Sequence, residues 1–248
     1  MGIDYNSQAN FYEETRSIEP IVYSILSYML ALQKGDVVLD FGCGTGNYLK
    51  KILTDYEVNV YGVEPSLNMR KIAQKKIPQA HILKGNHMCL PISNIGFNKI
   101  YCTDVIHHIS QLEILFRNLF NIASSGARFC ICTESSSQIA EKYWIKYFPS
   151  IPSIDSQRFH QIEKIIEFGE ISGWMHKETL KTENEIIAPI SDQFMDRIRQ
   201  KTLSVLNLIS NEEYEQGISL MEIDYQNQVV LQQHEGYTFI LFEKEALK

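Results

Sequence analysis

The sequence predicts an α/β protein in which helices cover both faces of a mostly parallel sheet. Short apolar runs that fit buried strands alternate with amphipathic runs that fit helices along most of the chain. The stretch VVLDFGCGTGNYL, residues 37–49, also joins a strand to a helix through Gly42, Gly44 and Gly46. Such a turn lets a ligand approach the backbone closely, and the helix N-terminus that follows it attracts anionic groups.

The first half of the chain alternates between helices and strands. Apolar stripes at helical spacing predict helices over residues 4–34, and a new helix starts at Pro20 because proline fits the first turn of a helix. From the glycine loop onward, short apolar runs predict strands and amphipathic runs predict helices. The predicted strands cover residues 37–39, 58–63, 80–83, 98–102 and 128–133, and the predicted helices cover 47–55, 67–76 and 111–122.

Beyond the fifth predicted strand the pattern changes. We expect an aromatic cluster over residues 143–149 to form a lid over an apolar substrate, although the same cluster would also fit the packing of a connecting helix. A helix over 159–172, a strand over 177–182 and a mostly helical stretch follow. We expect a single domain, 1–248, whose parts are a helical cover at 1–34, a core at 35–135, helical insertions at 136–172 and 188–232, and a last strand at 236–243.

Composition excludes several classes of partner. The net charge of −7 argues against a nucleic-acid partner, because binding to phosphates needs clustered Lys and Arg. No apolar run approaches the length of a membrane span and the N-terminus lacks a signal pattern, so we expect no membrane insertion. The 5 cysteines are odd in number and several lie in predicted strands. They predict buried thiols in a reducing, cytoplasmic compartment and no metal site.

The glycine loop differs from a dinucleotide-binding loop. It is GxGxG, with Asn47 in the place of the third dinucleotide glycine and an acid, Asp40, just before the glycines. Together with residues 60–64 and 97–109, this stretch resembles the motifs of class I S-adenosylmethionine-dependent methyltransferases that act on small molecules. The resemblance implies a Rossmann-like three-layer sandwich. Its sheet would have seven mostly parallel strands and an antiparallel last strand, with helical insertions over the substrate end.

The resemblance also implies S-adenosylmethionine as the cofactor and indicates which residues hold it. Glu64 ends the second predicted strand, where an acid can accept hydrogen bonds from both ribose hydroxyls. Asp40 favours a ligand that carries an amino group. In similar enzymes the residue at the place of Asn86 holds the adenine, and the backbone N–H of His87 could serve the ring nitrogen. The predicted cofactor-binding residues are Tyr12, Arg16, Asp40, Gly42, Cys43, Gly44, Asn47, Glu64, Pro65, Ser66, Met69, Asn86, His87, Thr103 and His107.

Three side chains are candidates for catalysis. His107 and His108 follow the fourth predicted strand, whose end should face the methyl group and the substrate. An imidazole there suits a general base because it titrates near neutral pH. Either histidine would instead be structural if it only held the loop under the next helix. Glu134, at the tip of the fifth predicted strand, is either a substrate ligand or a helix N-cap acid.

These features favour an enzyme that methylates a small, hydrophobic or aromatic metabolite on O, N or C, in the manner of secondary metabolism. Two alternatives stay open. The protein would be a non-catalytic S-adenosylmethionine-binding or regulatory protein if it kept the cofactor site without chemistry. An NAD-dependent oxidoreductase fits less well, because the third glycine is absent and an acid precedes the loop. We expect a monomer or a homodimer that binds a small-molecule substrate.

Overall fold

The computed structural model describes residues 5–92 and 95–246. The α-helices are α1 (Tyr5–Thr15), α2 (Pro20–Leu30), α3 (Asn47–Asp55), α4 (Leu67–Lys76), α5 (Leu112–Ile122), α6 (Ser136–Ala140), α7 (Ile151–Arg158), α8 (Ile162–Ile171), α9 (Asp192–Arg199) and α10 (Asn211–Gln226). Short 3-10 helices lie at Ile106–His108, Tyr143–Tyr147 and Ser204–Asn207. The strands are β1 (Val37–Phe41), β2 (Asn59–Val63), β3 (His81–Leu83), β4 (Phe97–Thr103), β5 (Ala123–Thr133), β6 (Trp174–Lys181), β7 (Asn184–Ala188), β8 (Leu231–Glu235) and β9 (Thr238–Lys244).

One seven-stranded sheet forms the centre of the molecule, with the strand order β3-β2-β1-β4-β5-β9-β6. Strands β1 to β5 pair in parallel, and β9 runs antiparallel between β5 and β6. This confirms the predicted mostly parallel sheet with an antiparallel last strand. The strand order reverses between β1 and β4. In such sheets the loops that leave the two strands diverge, and a crevice opens at the carboxyl ends of the strands.

Helices cover both faces of the sheet, as a three-layer sandwich requires. Neighbouring residues of a strand point to opposite faces, so Val38 packs with α2 and α3 while Leu39 packs with α5. Helices α2, α3 and α4 bury apolar side chains on one face, and α5 and α8 bury theirs on the other. Because both faces are covered there, the central strands β1, β4 and β5 each contain a buried, mostly apolar run, which is why short apolar runs identified them.

A third apolar core holds the helical insertion together. It contains Trp144, Tyr147 and Phe148 of the aromatic cluster, which pack against side chains of α9 and α10. Phe148 is fully buried, and Gly217 of α10 lies so close that an added Cβ would stand 2.4 Å from its ring. The aromatic cluster is therefore largely the interior of this insertion.

Several elements differ from the prediction. Helix α7 was not predicted, and a two-stranded sheet of β7 and β8 lies at the edges of the stretch predicted as a helical insertion at 188–232. These strands have few buried residues and a polar sequence, so they lack the apolar alternation that signals a strand. The last strand begins at Thr238 and not at 236. Strand β5 begins at Ala123, with an irregular register before Arg128.

The leading segment is helical, as predicted, and α1 bridges two parts of the molecule. The Asn6 side chain accepts hydrogen bonds from the Ser66 hydroxyl (2.9 Å) and the backbone N–H of Asn68 (3.2 Å) at the start of α4. At the other end of α1, the Thr15 hydroxyl lies 3.4 Å from that of Thr202, just after α9. Helix α1 therefore contacts both the core and the helical insertion.

Two further expectations concern the cysteines and the absence of membrane-spanning helices. None of the 5 cysteines forms a disulfide. Four are buried as predicted, whereas Cys89 is exposed in the turn after β3. Among the described residues, no helix combines the length and the apolar character needed to cross a bilayer.

Gly42 ties the glycine loop to the loop that follows β4. Its φ of +81° lies in the left-handed region, and an added Cβ would stand 2.4 Å from Cγ2 of Val105. Gly35 has a similar φ of +87°, yet nothing lies within 4 Å of its virtual Cβ. The two glycines therefore separate the cost of the backbone conformation from the cost of the collision.

We expect Gly42→Ala to destabilise the fold more than Gly35→Ala. The left-handed conformation alone costs an L-residue about 1–2 kcal/mol. Overpacking against Val105 adds about 1–3 kcal/mol at position 42 only. Urea unfolding followed by circular dichroism measures both variants, and equal losses of unfolding free energy would show that Val105 yields without cost.

Candidate functional site

A cavity of about 470 Å³ lies at the carboxyl ends of the parallel strands. The ends of β1, β2, β3, β4 and β5 form its floor, and α1, α9 and the segments around α7 form its walls. This position, at the reversal of strand order, is the one expected for a ligand site in an open α/β sheet. Most of the predicted site residues line it: Tyr12, Arg16, Gly42, Gly44, Glu64, Pro65, Met69, Asn86, His87, Thr103, His107, His108 and Glu134.

The remaining predicted residues lie beside the cavity. Asp40, Cys43 and Asn47 line a smaller recess of about 50 Å³ next to the glycine loop, together with Arg16. Ser66 lines neither space. Its hydroxyl accepts a hydrogen bond from the backbone N–H of Met69 (3.3 Å), so Ser66 is the N-cap of α4. Ser66 therefore positions the end of β2 and does not face the cavity.

Asp40 is a buried carboxylate that is only half satisfied. One oxygen, Oδ2, accepts a hydrogen bond from the Tyr101 hydroxyl (2.9 Å), while Oδ1 is buried and has no partner among the described residues. Burial raises the pKa of Asp40 to about 8, the Tyr101 hydrogen bond lowers it, and the nearby Glu64 raises it further. A buried acid with an orphaned oxygen suits a cationic partner in the adjoining recess.

Glu64 lies at the tip of β2 and connects it to the glycine loop. Its two oxygens accept hydrogen bonds from the backbone N–H of Ser66 (2.8 Å) and of Gly44 (3.1 Å). Burial raises its pKa, and those two N–H donors and the charge of Arg70 oppose the rise. Arg70 also donates to the carbonyls of Glu64 and Pro65, both at 2.7 Å. Sequence reasoning missed Arg70, which holds the strand tip in place.

Arg16 and Tyr12 form the wall beside the recess. The Arg16 guanidinium lies 5.2 Å from the centre of the Tyr12 ring and 3.4 Å from a carboxylate oxygen of Asp104. Asp104 has a φ of +57°, a conformation that aspartate tolerates better than most residues. It was not predicted as a site residue, although an acid directly after a parallel strand is a recognisable signal.

Two predicted ligands have their polar groups engaged within the protein. The Asn47 amide donates to the carbonyl of Arg16 (3.0 Å), and its oxygen accepts from Lys76. The Asn86 oxygen accepts from the backbone N–H groups of Met88 (3.0 Å) and Cys89 (3.1 Å). Both lone pairs of that oxygen are used within its own turn, so the Asn86 oxygen has no free position for an adenine amino group.

The loop after β4 is held from several sides. Val105 packs against Gly42, and the His160 ring nitrogen Nε2 lies 2.7 Å from the Ile109 carbonyl. The His107 ring stacks on Phe159 with 4.3 Å between ring centres. His160 and Phe159 belong to the segment between α7 and α8, so this segment fixes the position of the loop.

Burial controls the chemistry of the two histidines. It lowers the pKa of His107 well below the ordinary value, and the charges of His108 and Arg158 add to the effect. His107 Nδ1 is buried and has no partner among the described residues. His108 reaches solvent more, and burial with the charge of Arg158 lowers its pKa to about 4. His107 is therefore a neutral imidazole at physiological pH, with one buried ring nitrogen that has no hydrogen-bond partner among the described residues.

The far end of the cavity carries ion pairs that were not predicted. Glu134 forms an ion pair with Lys142 (2.6 Å), and the buried Asp155 forms one with Arg158 (2.8 Å). Glu134 is not the cap of α6, whose N-cap is Ser135, and its other expected role, that of a substrate ligand, stays a prediction. Lys142 lies after α6, and Asp155 and Arg158 lie within α7, and no motif identifies these three residues. Within the described residues, no cluster of His, Cys, Asp or Glu is arranged to hold a metal ion.

Comparison with known proteins gives consistent results. A family model described as a methyltransferase domain matches residues 13–182. An uncharacterized methyltransferase from Anoxybacillus flavithermus is 36% identical over 91 residues, which is 37% of this chain and 42% of that protein. An O-methyltransferase from Aspergillus nomiae is 27% identical over 158 residues, 57% of this chain and 70% of that one. The chain spans about half the length of the curated bacterial relatives it matches.

Solved structures share the fold. A protein from Anabaena variabilis, described as a candidate methyltransferase of an antibiotic biosynthesis pathway, superposes with a TM-score of 0.71. The match covers 92% of this chain and 98% of that chain at 21% sequence identity. At this identity the similarity concerns the fold.

We expect the Asp40 carboxyl to make the ligand-free protein less stable as the pH rises. Its folded-state pKa of about 8 lies above the ordinary 3.8, so the folded state keeps a proton that the unfolded chain releases. The free energy of unfolding should fall between about pH 4 and about pH 8, by on the order of 1 kcal/mol per pH unit, and this slope should be absent in Asp40→Asn. Urea unfolding at several pH values measures it, and equal slopes in both proteins would show that Asp40 is ionised throughout.

Proposed function

This chain belongs to the methyltransferase family, and from that premise we propose that it transfers a methyl group from S-adenosylmethionine to a small acceptor molecule. The observation that carries the proposal is the pair of buried carboxylates at the carboxyl ends of β1 and β2. Asp40 and Glu64 flank a glycine loop at the reversal of strand order. The cavity volume lies within the range of small-molecule sites.

The residues present fit this cofactor. The orphaned Oδ1 of Asp40 suits the ammonium group of the methionine part, close to Gly44 and Arg16. Glu64 suits the ribose hydroxyls, which would compete for its oxygens with the backbone N–H groups that donate hydrogen bonds to it in the ligand-free protein. The Asn86 side-chain oxygen accepts hydrogen bonds within its own turn. We therefore assign the adenine to the backbone around His87 and to the side chain of Met69.

The chemistry needs alignment more than activation. S-adenosylmethionine, when bound, supplies a methyl group on a sulfonium that is already a good leaving group. The protein's part is to hold the acceptor in line and to exclude water. We propose that His107, neutral and with Nδ1 free, orients the acceptor and takes its proton where the acceptor atom carries one. The stacking of its ring on Phe159 fixes the direction of that nitrogen.

We propose a small metabolite with an aromatic or apolar part as the acceptor. Tyr143, Trp144, Phe159 and Phe194 contribute aromatic walls to the cavity. The similarity to a fungal O-methyltransferase and to a protein described as belonging to an antibiotic pathway supports a small acceptor. Part of the aromatic cluster thus contributes to the substrate wall, while the rest of the cluster forms the interior of the insertion.

We expect the wild-type protein to bind S-adenosylmethionine and Glu64→Gln to bind it at least about tenfold more weakly. Hydrogen bonds to a charged acceptor contribute about 1.5–3 kcal/mol each, and the amide replaces one accepting oxygen by a donor. Isothermal titration calorimetry measures both affinities. NADH in the same titration should give no binding.

Glu57→Gln is the matched control. Glu57 is an exposed acid near the other end of β2, where it pairs with Lys34 (2.6 Å) and lies far from the strand tip. Its variant should bind the cofactor as the wild type does. An absence of binding by the wild type would refute the proposal, and equal affinities of all three proteins would remove Glu64 from the site.

A further inference from the structure

Arg197 stands apart among the basic side chains of the cavity. Among the described residues, four Lys or Arg side chains line the cavity, and three of them form the ion pairs described above. Arg197, in the last turn of α9, forms no ion pair in the part of the chain that the structure describes. Among the described residues, Arg197 is therefore the Lys or Arg side chain of the cavity that has no ion-pair partner.

The position of Arg197 is fixed although its charge is not matched. Its guanidinium lies 5.6 Å from the centre of the Phe194 ring, one turn earlier on α9. Its backbone carbonyl accepts a hydrogen bond from the N–H of Thr202 (3.0 Å), which holds the end of the helix. Nε is buried and has no partner within the described residues. The backbone of Arg197 is thus held by Thr202 and its guanidinium lies against Phe194, while the Nε–H donor has no acceptor among the described residues.

The surroundings of Arg197 favour an anion. Burial lowers its pKa to about 10 and the charge of the nearby Arg16 adds to the effect, yet the group remains a cation at neutral pH. Removing a charge from water without a partner is costly. Tyr237 and the charge of Asp104 oppose the lowering of its pKa, and the charge of Arg197 also acts on Glu235. Neither acid forms an ion pair with the guanidinium among the described residues, so a bound anion would be its direct partner.

We propose that Arg197 binds an acidic group of the methyl acceptor, a carboxylate or a phosphate. The planar guanidinium forms paired hydrogen bonds with either group. Phe194 and Tyr143, whose rings lie 5.4 Å apart, provide an apolar surface beside it. The acceptor is then an amphipathic acid rather than a purely apolar compound. This assignment rests on the proposed function, because it concerns the second substrate of that reaction.

The cofactor carboxylate is a less suitable occupant. The recess beside the glycine loop is lined by Asp40, Gly44, Asn47 and Arg16, and Arg197 is not part of it. Arg197 is carried by the helical insertion, and it lines the cavity but not the recess. Arg16 therefore serves the recess, and Arg197 serves the acceptor end.

The test compares two probes of equal shape, 4-hydroxybenzoate and its amide 4-hydroxybenzamide, with phenyl phosphate as a second anion. Each is titrated into the full chain saturated with S-adenosylhomocysteine. The proteins are the wild type, Arg197→Met and the control Arg199→Met. Arg199 lies on the same helix but is exposed, and it pairs with Asp196 and Glu222 outside the cavity.

We expect the wild type and Arg199→Met to bind 4-hydroxybenzoate or phenyl phosphate at least about tenfold more tightly than 4-hydroxybenzamide. Arg197→Met should lose this preference. A stronger preference for phenyl phosphate or for the benzoate distinguishes a phosphate from a carboxylate acceptor. Equal affinity of the wild type for anion and amide would overturn the proposal. So would an unchanged preference in Arg197→Met, or no anion binding at millimolar concentration.

Cofactor binding separates the two proposals. Titration of S-adenosylhomocysteine alone should give the same affinity in all three proteins. A selective loss in Arg197→Met would assign the guanidinium to the cofactor and overturn the inference. If none of the three proteins binds S-adenosylhomocysteine, the result counts against the proposed function instead. The preference of Arg197 for the anionic probes is then measured without cofactor.

Discussion

The hydrogen bond between Tyr101 and Asp40 joins the two strands between which the sheet reverses its order. Asp40 and Tyr101 are direct register partners on β1 and β4, and both side chains are buried. The loops after these two strands diverge, and both line the cavity. The relative position of the two loops therefore depends on this pair. The glycine loop leaves from one strand and the histidine loop from the other. A shift of one strand against the other would separate the cofactor end from the catalytic loop.

The site contains ionisable side chains in buried positions, where ionisation is unfavourable. Asp40 and Glu64 are both buried, burial raises the pKa of each, and the charge of Glu64 raises the pKa of Asp40 further. Glu64 offsets that cost with two backbone N–H donors, whereas Asp40 has a single donor in Tyr101. Arg197 is the opposite case, a cation of the cavity that forms no ion pair among the described residues. Asp40 and Arg197 carry opposite charges, which fits a cationic amino group beside Asp40 and an acid beside Arg197.

Local sequence predicted the half of the site that lies on the parallel strands. The bounds of α3 and α4 follow from apolar spacing and from the Ser66 cap, and Glu64 follows from its place at a strand end. The acceptor end was not predictable in this way. Arg197 reaches the cavity only because α9 folds back over the strand tips, and no spacing along the chain indicates that. The Asn86 turn is similar, since its side chain could have faced either a ligand or its own backbone.

The contact between Gly42 and Val105 restricts how related sequences can vary. A side chain at position 42 would collide with Val105 unless the loop after β4 moved. Val105 lies two residues before His107 on that loop, and the His107 ring stacks on Phe159. The position of the histidine loop therefore depends on a glycine in the loop after β1, and we expect a natural replacement of Gly42 to be accompanied by a smaller residue at position 105.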